Sequence, residues 1–379
     1  MKSLYRKLIS FFENIPSRMR RTKNYISEMV AIYKKRSMYK DIKWTKEQQQ
    51  EFDIFWKTHY GKKISNKWHR QYEGISGVFD VRYIPEMLYT VKFTPKVNSY
   101  MKSRTFADKS MVEVLFGGEV KGLSIGYRVP DTYILNSGGI FYDGERCVID
   151  PDAAAKIVEN IGECVIKPTF GSNSGDGVRI ADIKGGVERR RNQPVADLIK
   201  SYGKDFIIQE KIVPHESFAA VFGNSINSIR VMTYICNHRV FHCPLSFRIG
   251  VGDSEVDNIH AGGLCVGLHD DGSLKKYAYK LGWGDKSEKY ESHPTSGLVF
   301  DEHVLFGVPD ILKAAYKLHG RVPHINSVGW DFTIDADGNI VLIEVGFLGQ
   351  SAWFPQMVNG QSLFGENTPE MLKLIRKKR

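Results

Sequence analysis

A lysine followed by a glycine-rich loop is the first pattern in this sequence that suggests a chemistry. The apolar run Cys164–Ile166 predicts a buried strand, which presents Lys167 before Pro168 interrupts the ladder. The loop 171–177 contains three glycines, and glycine lets a backbone turn its N–H groups toward an anion. Lysine supplies a point charge for phosphate, and the order of residues excludes a Walker P-loop. Alone, the segment fits a phosphate cradle and a glycine-rich hairpin with a surface lysine equally well.

Two carboxylates further along the chain predict a metal site. Residues 328–345 form two apolar runs around Asp337-Gly338, which predicts a β-hairpin. Asp331 and Glu344 are equidistant from that turn, so we expect them to face each other on adjacent strands. Opposed carboxylates repel, and a magnesium ion bridging to nucleotide phosphates would offset the repulsion. The alternative is that one or both carboxylates point to solvent.

These features, in this order, resemble the ATP-grasp superfamily, and other segments resemble its remaining motifs. Phe206–Ile212 resembles the strand that presents a backbone hinge to adenine, and residues 227–234 resemble the strand with an arginine beside the transferred phosphate. Residues 257–263 resemble the Asn-x-His-x-Gly-Gly segment of the glutamate-ligase branch, and Ala107–Lys109 resembles the Asp-Lys that opens the nucleotide-binding part. The resemblance covers residues 105–355. It implies an α+β fold of ATP-grasp type, in which a flap subdomain and a C-terminal subdomain hold nucleotide between them.

The resemblance implies ATP and Mg²⁺ as cofactors and a role for each matching residue. The residues expected to contact ATP are Lys109, Lys167, Ser172, Ser174, Gly175, Gly177, Gln209, Glu210, Ile212 and Glu216, with His215 as the alternative to Glu216 at the ribose. Asp331 and Glu344 would bind magnesium. The expected catalytic residues are Arg230 at the transferred phosphate, and Asn258 and His260 at the acceptor or the acyl phosphate. For His260, a loop histidine without a role is an equal interpretation, and Arg248 is a weaker candidate for a substrate carboxylate.

The sequence departs from the superfamily pattern at one metal ligand. After Glu344 the superfamily usually continues with valine and asparagine, whereas this chain has Val345 and Gly346. Glycine has no side chain to offer a metal. A water molecule, Gln350 or Asn258 would have to complete the coordination, and a non-catalytic site is also compatible.

The subgroup that the sequence resembles is the sugar-transfer-associated ATP-grasp proteins. This resemblance implies an ADP-forming ligase that joins a carboxylate to an amine or related nucleophile through an acyl phosphate. The implied setting is bacterial surface-polysaccharide biosynthesis or modification, with small-molecule or glycan-linked substrates. Two alternatives remain open: a non-catalytic nucleotide-binding subunit of a polysaccharide assembly complex, and an ATP-grasp phosphotransferase.

The positive charge of the chain is confined to its N-terminal part. Residues 1–46 contain 13 Lys or Arg and 3 Asp or Glu, which accounts for the whole net charge of +10. The rest contains 40 residues of each sign, which argues against a nucleic-acid-binding body. The odd number of cysteines, five, with no Cys-x-x-Cys pair suits a reducing cytosol. No run approaches the length of a membrane span, and no signal peptide is recognisable. We therefore expect a cytoplasmic protein.

The N-terminal residues predict amphipathic helices. One apolar stripe runs over residues 3–15 and ends at Pro16, and a second contains Ile26, Met29, Val30 and Tyr33. A third helix is expected from Thr45, with a capping box, to Gly61. We favour association of residues 1–40 with an anionic membrane or with glycan machinery, peripheral at the inner face, and packing on the body for residues 45–60. The alternative for residues 1–40 is also a packed cap.

The predicted organisation follows from these segments. It comprises a basic helical module over 1–60, a connecting region over 61–105, and the ATP-grasp region over 106–379 with its flap at about 160–210. Within that region we expect a helix near 109–115, another capped by Asp150 and running to 161, and a charged helix over 184–205. Residues 250–300 are expected to form glycine-rich loops over a site.

Overall fold

The computed structural model describes residues 15–170, 177–254, 257, 262–281 and 287–376. The helices are α1 Ile15–Lys34, α2 Lys46–His59, α3 Lys67–Ser76, α4 Glu86–Leu88, α5 Thr94–Val97, α6 Tyr100–Thr105, α7 Met111–Phe116, α8 Pro151–Val158, α9 Val195–Tyr202, α10 Glu216–Ala219, α11 Val308–His319, α12 Trp353–Asn359 and α13 Thr368–Ile375, with a π-helical segment at Tyr89–Phe93. The strands are β1 Tyr127–Arg128, β2 Thr132–Ser137, β3 Ile140–Asp143, β4 Val148–Ile149, β5 Gly162–Pro168, β6 Arg179–Lys184, β7 Val187–Glu188, β8 Gln193–Pro194, β9 Phe206–Glu210, β10 Ser228–Cys236, β11 Arg239–His242, β12 Leu245–Ile249, β13 Leu264–Leu268, β14 Leu274–Leu281, β15 Ser287–Tyr290, β16 Ser327–Ile334 and β17 Ile340–Gly346.

One antiparallel sheet carries the predicted phosphate-binding lysine. Its strand order is β4-β3-β2-β9-β5-β6-β7-β8, and Lys167 lies at the end of β5 beside Ile207 of β9. Helices α8 and α9 share one apolar core with this sheet. The predicted helix start at Asp150 is confirmed, because its side chain accepts a hydrogen bond from Ala153 N.

A second sheet carries the predicted carboxylate pair. Its order is β1-β17-β16-β10-β12-β13-β14-β15, with β11 beside β10, and β1 pairs with β17 in parallel. Helix α11 packs its apolar side, which includes Ile311, Ala315 and Leu318, in one core with β10 and β16. This sheet and the first one form the two walls of the candidate site. The mixture of helices with two largely antiparallel sheets confirms the predicted α+β class.

Helices from the N-terminal part pack on the second sheet. Helix α2 begins at Thr45 with the predicted capping box, and it buries Phe52 and Trp56 in a core shared with Met232 and Leu372. The buried Gln356 of α12 bonds to both backbone groups of Ile84, which ties the 61–105 region to the C-terminal part. The proposed domain boundaries remain a prediction. None of the helices in the described residues is long and apolar enough to cross a membrane.

Two sequence-based expectations for local structure are wrong. Residues 184–205 contain the short strands β7 and β8 and only one helix, α9, because Gly185 and Gly186 turn the chain back on itself. The described part of 250–300 contains the strands β13, β14 and β15 and is not made of loops alone. The predicted apolar stripe over residues 3–15, which ends at Pro16, lies outside the described residues except for Ile15.

The hairpin β16–β17 has the predicted opposition of Asp331 and Glu344, but its turn differs from the prediction. Ile334 pairs with Ile340, so the connection is the five-residue loop 335–339, closed by hydrogen bonds to the Asp335 side chain. The register then shifts by one residue at Ile343, and Asp331 pairs with Glu344. Loop and bulge offset each other, which is why the two-residue-turn argument gives the right pair.

Candidate active site

A cavity of about 560 Å³ lies between the two sheets. One wall comes from the first sheet and includes Val165, Lys167 and Ile180. The other comes from the second sheet, and the far end is formed by the segment 348–351 with Phe354 and Pro355. The cavity therefore collects residues from the lysine strand, the hinge and the carboxylate hairpin.

Strand register places the charged residues of the second sheet in one row. Glu344 pairs with Asp331, Asp331 with Arg230, and Arg230 with Ser246, across β17, β16, β10 and β12. Residues directly opposite each other in antiparallel strands project from the same face. All four line the cavity. The row is thus a consequence of sheet register.

Asp331 is surrounded by arginine. Arg230 binds both of its carboxylate oxygens, through Nε to Oδ1 and through Nη2 to Oδ2 at 2.7 Å, and Arg248 Nη2 lies 2.8 Å from Oδ2. Asp331 is 4% exposed, and burial alone would raise its pKa. The neighbouring Arg230 and Arg248 more than compensate, so the pKa of Asp331 is lowered and it is a carboxylate at neutral pH.

Asp257 extends this network, and the sequence analysis assigned it no role. Its Oδ2 accepts a hydrogen bond from Ser228, and Arg248 Nη2 donates to the same serine oxygen at 2.8 Å. Burial raises the pKa of Asp257, and Arg248 opposes the change. Ser228 lies two residues before Arg230 on β10, and side chains two residues apart on a strand project from the same face. This alternation was the sequence signal available for placing Ser228 in the network.

Lys109, Lys167 and Glu344 connect the two walls. Lys109 is held by its backbone N–H, which donates to Thr169 O, and its Nζ lies 3.6 Å from Glu344 Oε1. Lys167 is buried, and burial lowers its pKa to about 8, with Glu344 opposing the shift and Lys109 adding to it. Among the described residues, Glu344 is the carboxylate that opposes this lowering of the Lys167 pKa. A buried ammonium group in this setting favours a further anion in the cavity.

The hinge residues line the cavity, although one of their side chains is occupied elsewhere. Gln209, Glu210 and Ile212 all line it beside the apolar Val165 and Ile180 of the same wall, and Gln209 pairs directly with Val165. The Glu210 carboxylate forms an ion pair with Arg128 and accepts from Asp131 N at 2.7 Å. A contact between this segment and adenine remains a prediction.

The two ribose candidates are not among the residues that line the cavity. Glu216 is exposed at the first position of α10. His215 caps that helix, since its Nδ1 accepts from Ser217 N, and its ring stacks on Phe306 at 4.6 Å. His215 therefore has a structural role here, and a ribose contact for Glu216 remains a prediction.

Gly346 lies opposite Gly329, and the side chain of Gln350 covers both. Gln350 Nε2 donates to Gly346 O at 2.6 Å, and Tyr89 OH donates to Gln350 Oε1 at 3.4 Å. A Cβ added to Gly346 would meet its nearest atoms at 3.8 and 4.0 Å, whereas one on Gly329 would lie 3.2 Å from Gln350. Position 346 therefore has room for a side chain, and Gln350 lies beside it.

The carboxylate pair offers oxygen ligands of the kind that magnesium prefers. Glu344 has a side chain that is 45% exposed. Asp331 has about four lone-pair sites and accepts three arginine hydrogen bonds, so about one site remains on Oδ1. No cluster of three or more His, Cys, Asp or Glu suited to a metal occurs in the described part of the chain. The donors present fit a magnesium ion that keeps several waters or takes ligands from nucleotide.

Several predicted residues lie outside the described residues. These are Ser172, Ser174, Gly175, Asn258 and His260. Gly177 is described and has the left-handed φ of 74°, with a Cβ position only 2.8 Å from Pro168, so glycine is required there.

The family model described as sugar-transfer associated ATP-grasp matches residues 88–370. No curated protein matches the chain.

Similar solved structures include VanG D-Ala:D-Ser ligase from Enterococcus faecalis, with 16% identity, a TM-score of 0.38, and coverage of 72% of this chain and 62% of that one. The ATP-grasp ligase PsnB complexed with minimal precursor has 16% identity, a TM-score of 0.35, and coverage of 73% and 64%. N5-carboxyaminoimidazole synthetase from Staphylococcus aureus complexed with ADP has 10% identity, a TM-score of 0.34, and coverage of 70% and 53%. The chain thus spans less than two thirds of the length of each of these structures.

Proposed function

Because this chain belongs to the sugar-transfer associated ATP-grasp family, we propose that it is an ATP-dependent, ADP-forming ligase that joins a carboxylate to an amine or a related nucleophile. The observation that carries the proposal is the convergence of Lys167 with the Glu344–Asp331–Arg230 row in one cavity, with Lys109 Nζ 3.6 Å from Glu344 Oε1. Cations on both walls of one cavity suit a polyanion bound between them.

The proposed reaction proceeds through an acyl phosphate. A carboxylate oxygen of the acid attacks the γ-phosphorus of ATP, and the bond from that phosphorus to the ADP oxygen breaks. The amine then attacks the carbonyl carbon, phosphate leaves with the bonding electrons, and the amine loses a proton. Negative charge builds up on the transferred phosphoryl group and on the leaving ADP, so fixed cations beside it lower the barrier.

Each charged residue has a role in this scheme. Lys167 and Lys109 would bind phosphate oxygens from the first wall, and Arg230 would stabilise the transferred phosphoryl group from the second. Asp331 holds the guanidinium groups of Arg230 and Arg248 in place. Magnesium, held by Glu344 and the remaining acceptor site of Asp331, would neutralise phosphate charge when bound.

The acceptor end of the cavity is expected beyond this row. Met232, Gly346, Gln350 and Ser351 lie there, and the Ser351 hydroxyl is buried without a protein partner among the described residues. We place small-molecule or glycan-linked substrates of surface-polysaccharide assembly at this end, and the reaction in the cytoplasm.

A second function is supported by Gly346 and by the arginine contacts of Asp331. Together they weaken the metal site, which favours a nucleotide-binding subunit without catalysis. Incubating the protein with Mg·ATP, candidate acids and amines, and following products by phosphorus NMR, tests both functions. ADP and phosphate formed only with acid and amine support the ligase. Transfer of phosphate to a stable product indicates a phosphotransferase, and tight ATP binding without any product indicates the subunit.

A further inference from the structure

Helix α1 is anchored to the body by one face. Ile32 and, just after the helix, Lys35 are buried, and Met29 packs in the same cluster as Trp68 and Phe354. The Lys35 ammonium lies 3.3 Å from the centroid of the Trp353 ring. The helix is therefore a fixed part of the structure next to the far end of the cavity.

The opposite face of α1 exposes large apolar side chains in one line. Met19, Ile26, Val30 and Tyr33 are 68%, 57%, 47% and 69% exposed. Their spacings of seven, four and three residues place them on one stripe of a helix. We name these four residues the apolar stripe. Single exposed hydrophobic residues are ordinary, but four on one stripe of a helix indicate a surface that is covered in use.

Basic residues border the apolar stripe. Lys23 and Lys34 are exposed and lie within the adjoining third of the helical circumference, whereas Arg20 beside them stacks on the Tyr100 ring at 3.7 Å. We name Lys23 and Lys34 the basic flank. Glu28 is the single carboxylate of the helix sequence, and it lies toward the packed side, where it interacts with Lys35. The outward face thus combines apolar and positive groups with no negative one.

We propose that the apolar stripe and the basic flank dock on an anionic lipid bilayer, with α1 lying along its surface. Charge complementarity selects this occupant, because lipid phosphates would meet the basic flank while the stripe enters the interfacial region. A nucleic acid would use the basic residues but leave the apolar stripe in water. The docking is independent of the ligase chemistry, and it would hold the cavity at a fixed distance from the membrane.

Vesicle flotation of the full chain tests the proposal. The probe is phosphatidylcholine vesicles with about one third phosphatidylglycerol, compared with phosphatidylcholine alone. The intact protein should float with the anionic vesicles only, and less of it should float at high salt. Ile26→Asp/Val30→Asp should reduce the bound fraction at least roughly tenfold, because both apolar anchors are lost and two negative charges are added. Lys23→Ala/Lys34→Ala should reduce it by a smaller factor.

A matched pair in the first sheet controls for exposed apolar residues in general. Ile140→Asp/Val148→Asp alters side chains that are 51% and 68% exposed, and it should leave flotation unchanged. Unchanged melting temperatures of both double variants exclude unfolding as the cause of lost binding. The proposal is overturned if the full chain does not float with anionic vesicles, or if Ile26→Asp/Val30→Asp floats like wild type. It is also overturned if light scattering reveals a dimer that this variant dissociates, since a second copy then covers the stripe.

Discussion

Asp331 and Arg230 pair directly across β16 and β10, and the guanidinium group binds both carboxylate oxygens. Arg248 binds the same carboxylate from β12, so one buried anion is shared by two cations. This arrangement supplies the positive charge that the opposed Asp331 and Glu344 require, before any metal is considered.

Asp331→Asn should destabilise the protein by about 3 kcal/mol, since it leaves two buried guanidinium groups without their shared anion. The folded-state pKa of Asp331 is lowered. The contribution of Asp331 to the free energy of unfolding is therefore present at neutral pH, and it is lost as the pH falls below the range in which aspartate ordinarily titrates. Urea denaturation at neutral pH, with the exposed Asp337→Asn as control, measures the difference. A loss no greater than about 0.5 kcal/mol, typical of surface substitutions, would mean that the ion pair adds no stability.

Lys167→Met should abolish nucleotide binding while the fold remains intact, because the ammonium group faces the cavity from a buried position. The matched control is Lys184→Met, an exposed lysine on the neighbouring strand β6. Titration calorimetry with ATP measures both variants. Wild-type affinity in Lys167→Met would remove the residue from the site.

The lowered pKa of Lys167 predicts proton uptake on nucleotide binding. Burial lowers this pKa to about 8, so the charged form costs stability below that pH, and the cost disappears as the pH rises toward the unfolded value. Phosphate favours the charged form and raises the pKa again. At about pH 8.5, Lys167 should therefore gain a proton when ATP binds, and the measured heat should depend on the ionisation enthalpy of the buffer. At about pH 6.5, Lys167 is already protonated and should gain none. Absence of proton uptake by the wild-type protein at about pH 8.5 would contradict the lowered pKa of Lys167.

Gly346→Asn should strengthen the dependence of nucleotide binding on magnesium or raise turnover, since it restores the ligand usual in the superfamily. A Cβ at this position meets only ordinary contacts. Gly329→Asn is the matched control on the opposite strand, where the new side chain collides with Gln350. The prediction is checked by magnesium titration of both variants, and an effect of equal size in both would indicate simple disturbance of the sheet.

Gln356→Leu should cost about 3 kcal/mol, because it leaves the N–H and C=O of Ile84 and the N–H of Leu363 without partners in a buried region. The exposed Gln361→Leu should change little. Thermal and urea unfolding measure both. A cost near zero for Gln356→Leu would argue that residues 61–105 are only loosely attached to the rest.

The sequence predicts the β16–β17 hairpin well because register follows from strand alternation and hairpin pairing. The opposition of Asp331 and Glu344, the position of Lys167 and the start of α2 at Thr45 all follow from local rules. The partners of Asp331 could not be predicted in this way. Arg230 and Arg248 come from strands about 100 and 80 residues away in sequence, and only the sheet order brings them together.

Glycine-containing segments also led to wrong expectations, because glycines at turns between strands resemble glycines in long loops. Glycines in 262–281 mark strand ends rather than a flexible cover, and Gly185-Gly186 converts a charged segment into a short hairpin. The packing of Gln356 and Lys35 against distant segments left no sequence signal, because polar residues in a core are recognised only by their partners.

Magnesium-dependent nucleotide binding at Glu344 is the most direct test of the proposed function. A non-hydrolysable ATP analogue is titrated into wild type, Glu344→Gln and the surface control Glu163→Gln, with and without magnesium. Magnesium should tighten binding to wild type and to Glu163→Gln at least about tenfold, and this gain should vanish in Glu344→Gln. Equal affinity of the wild-type protein with and without magnesium would contradict the account and favour a nucleotide-binding subunit without catalysis.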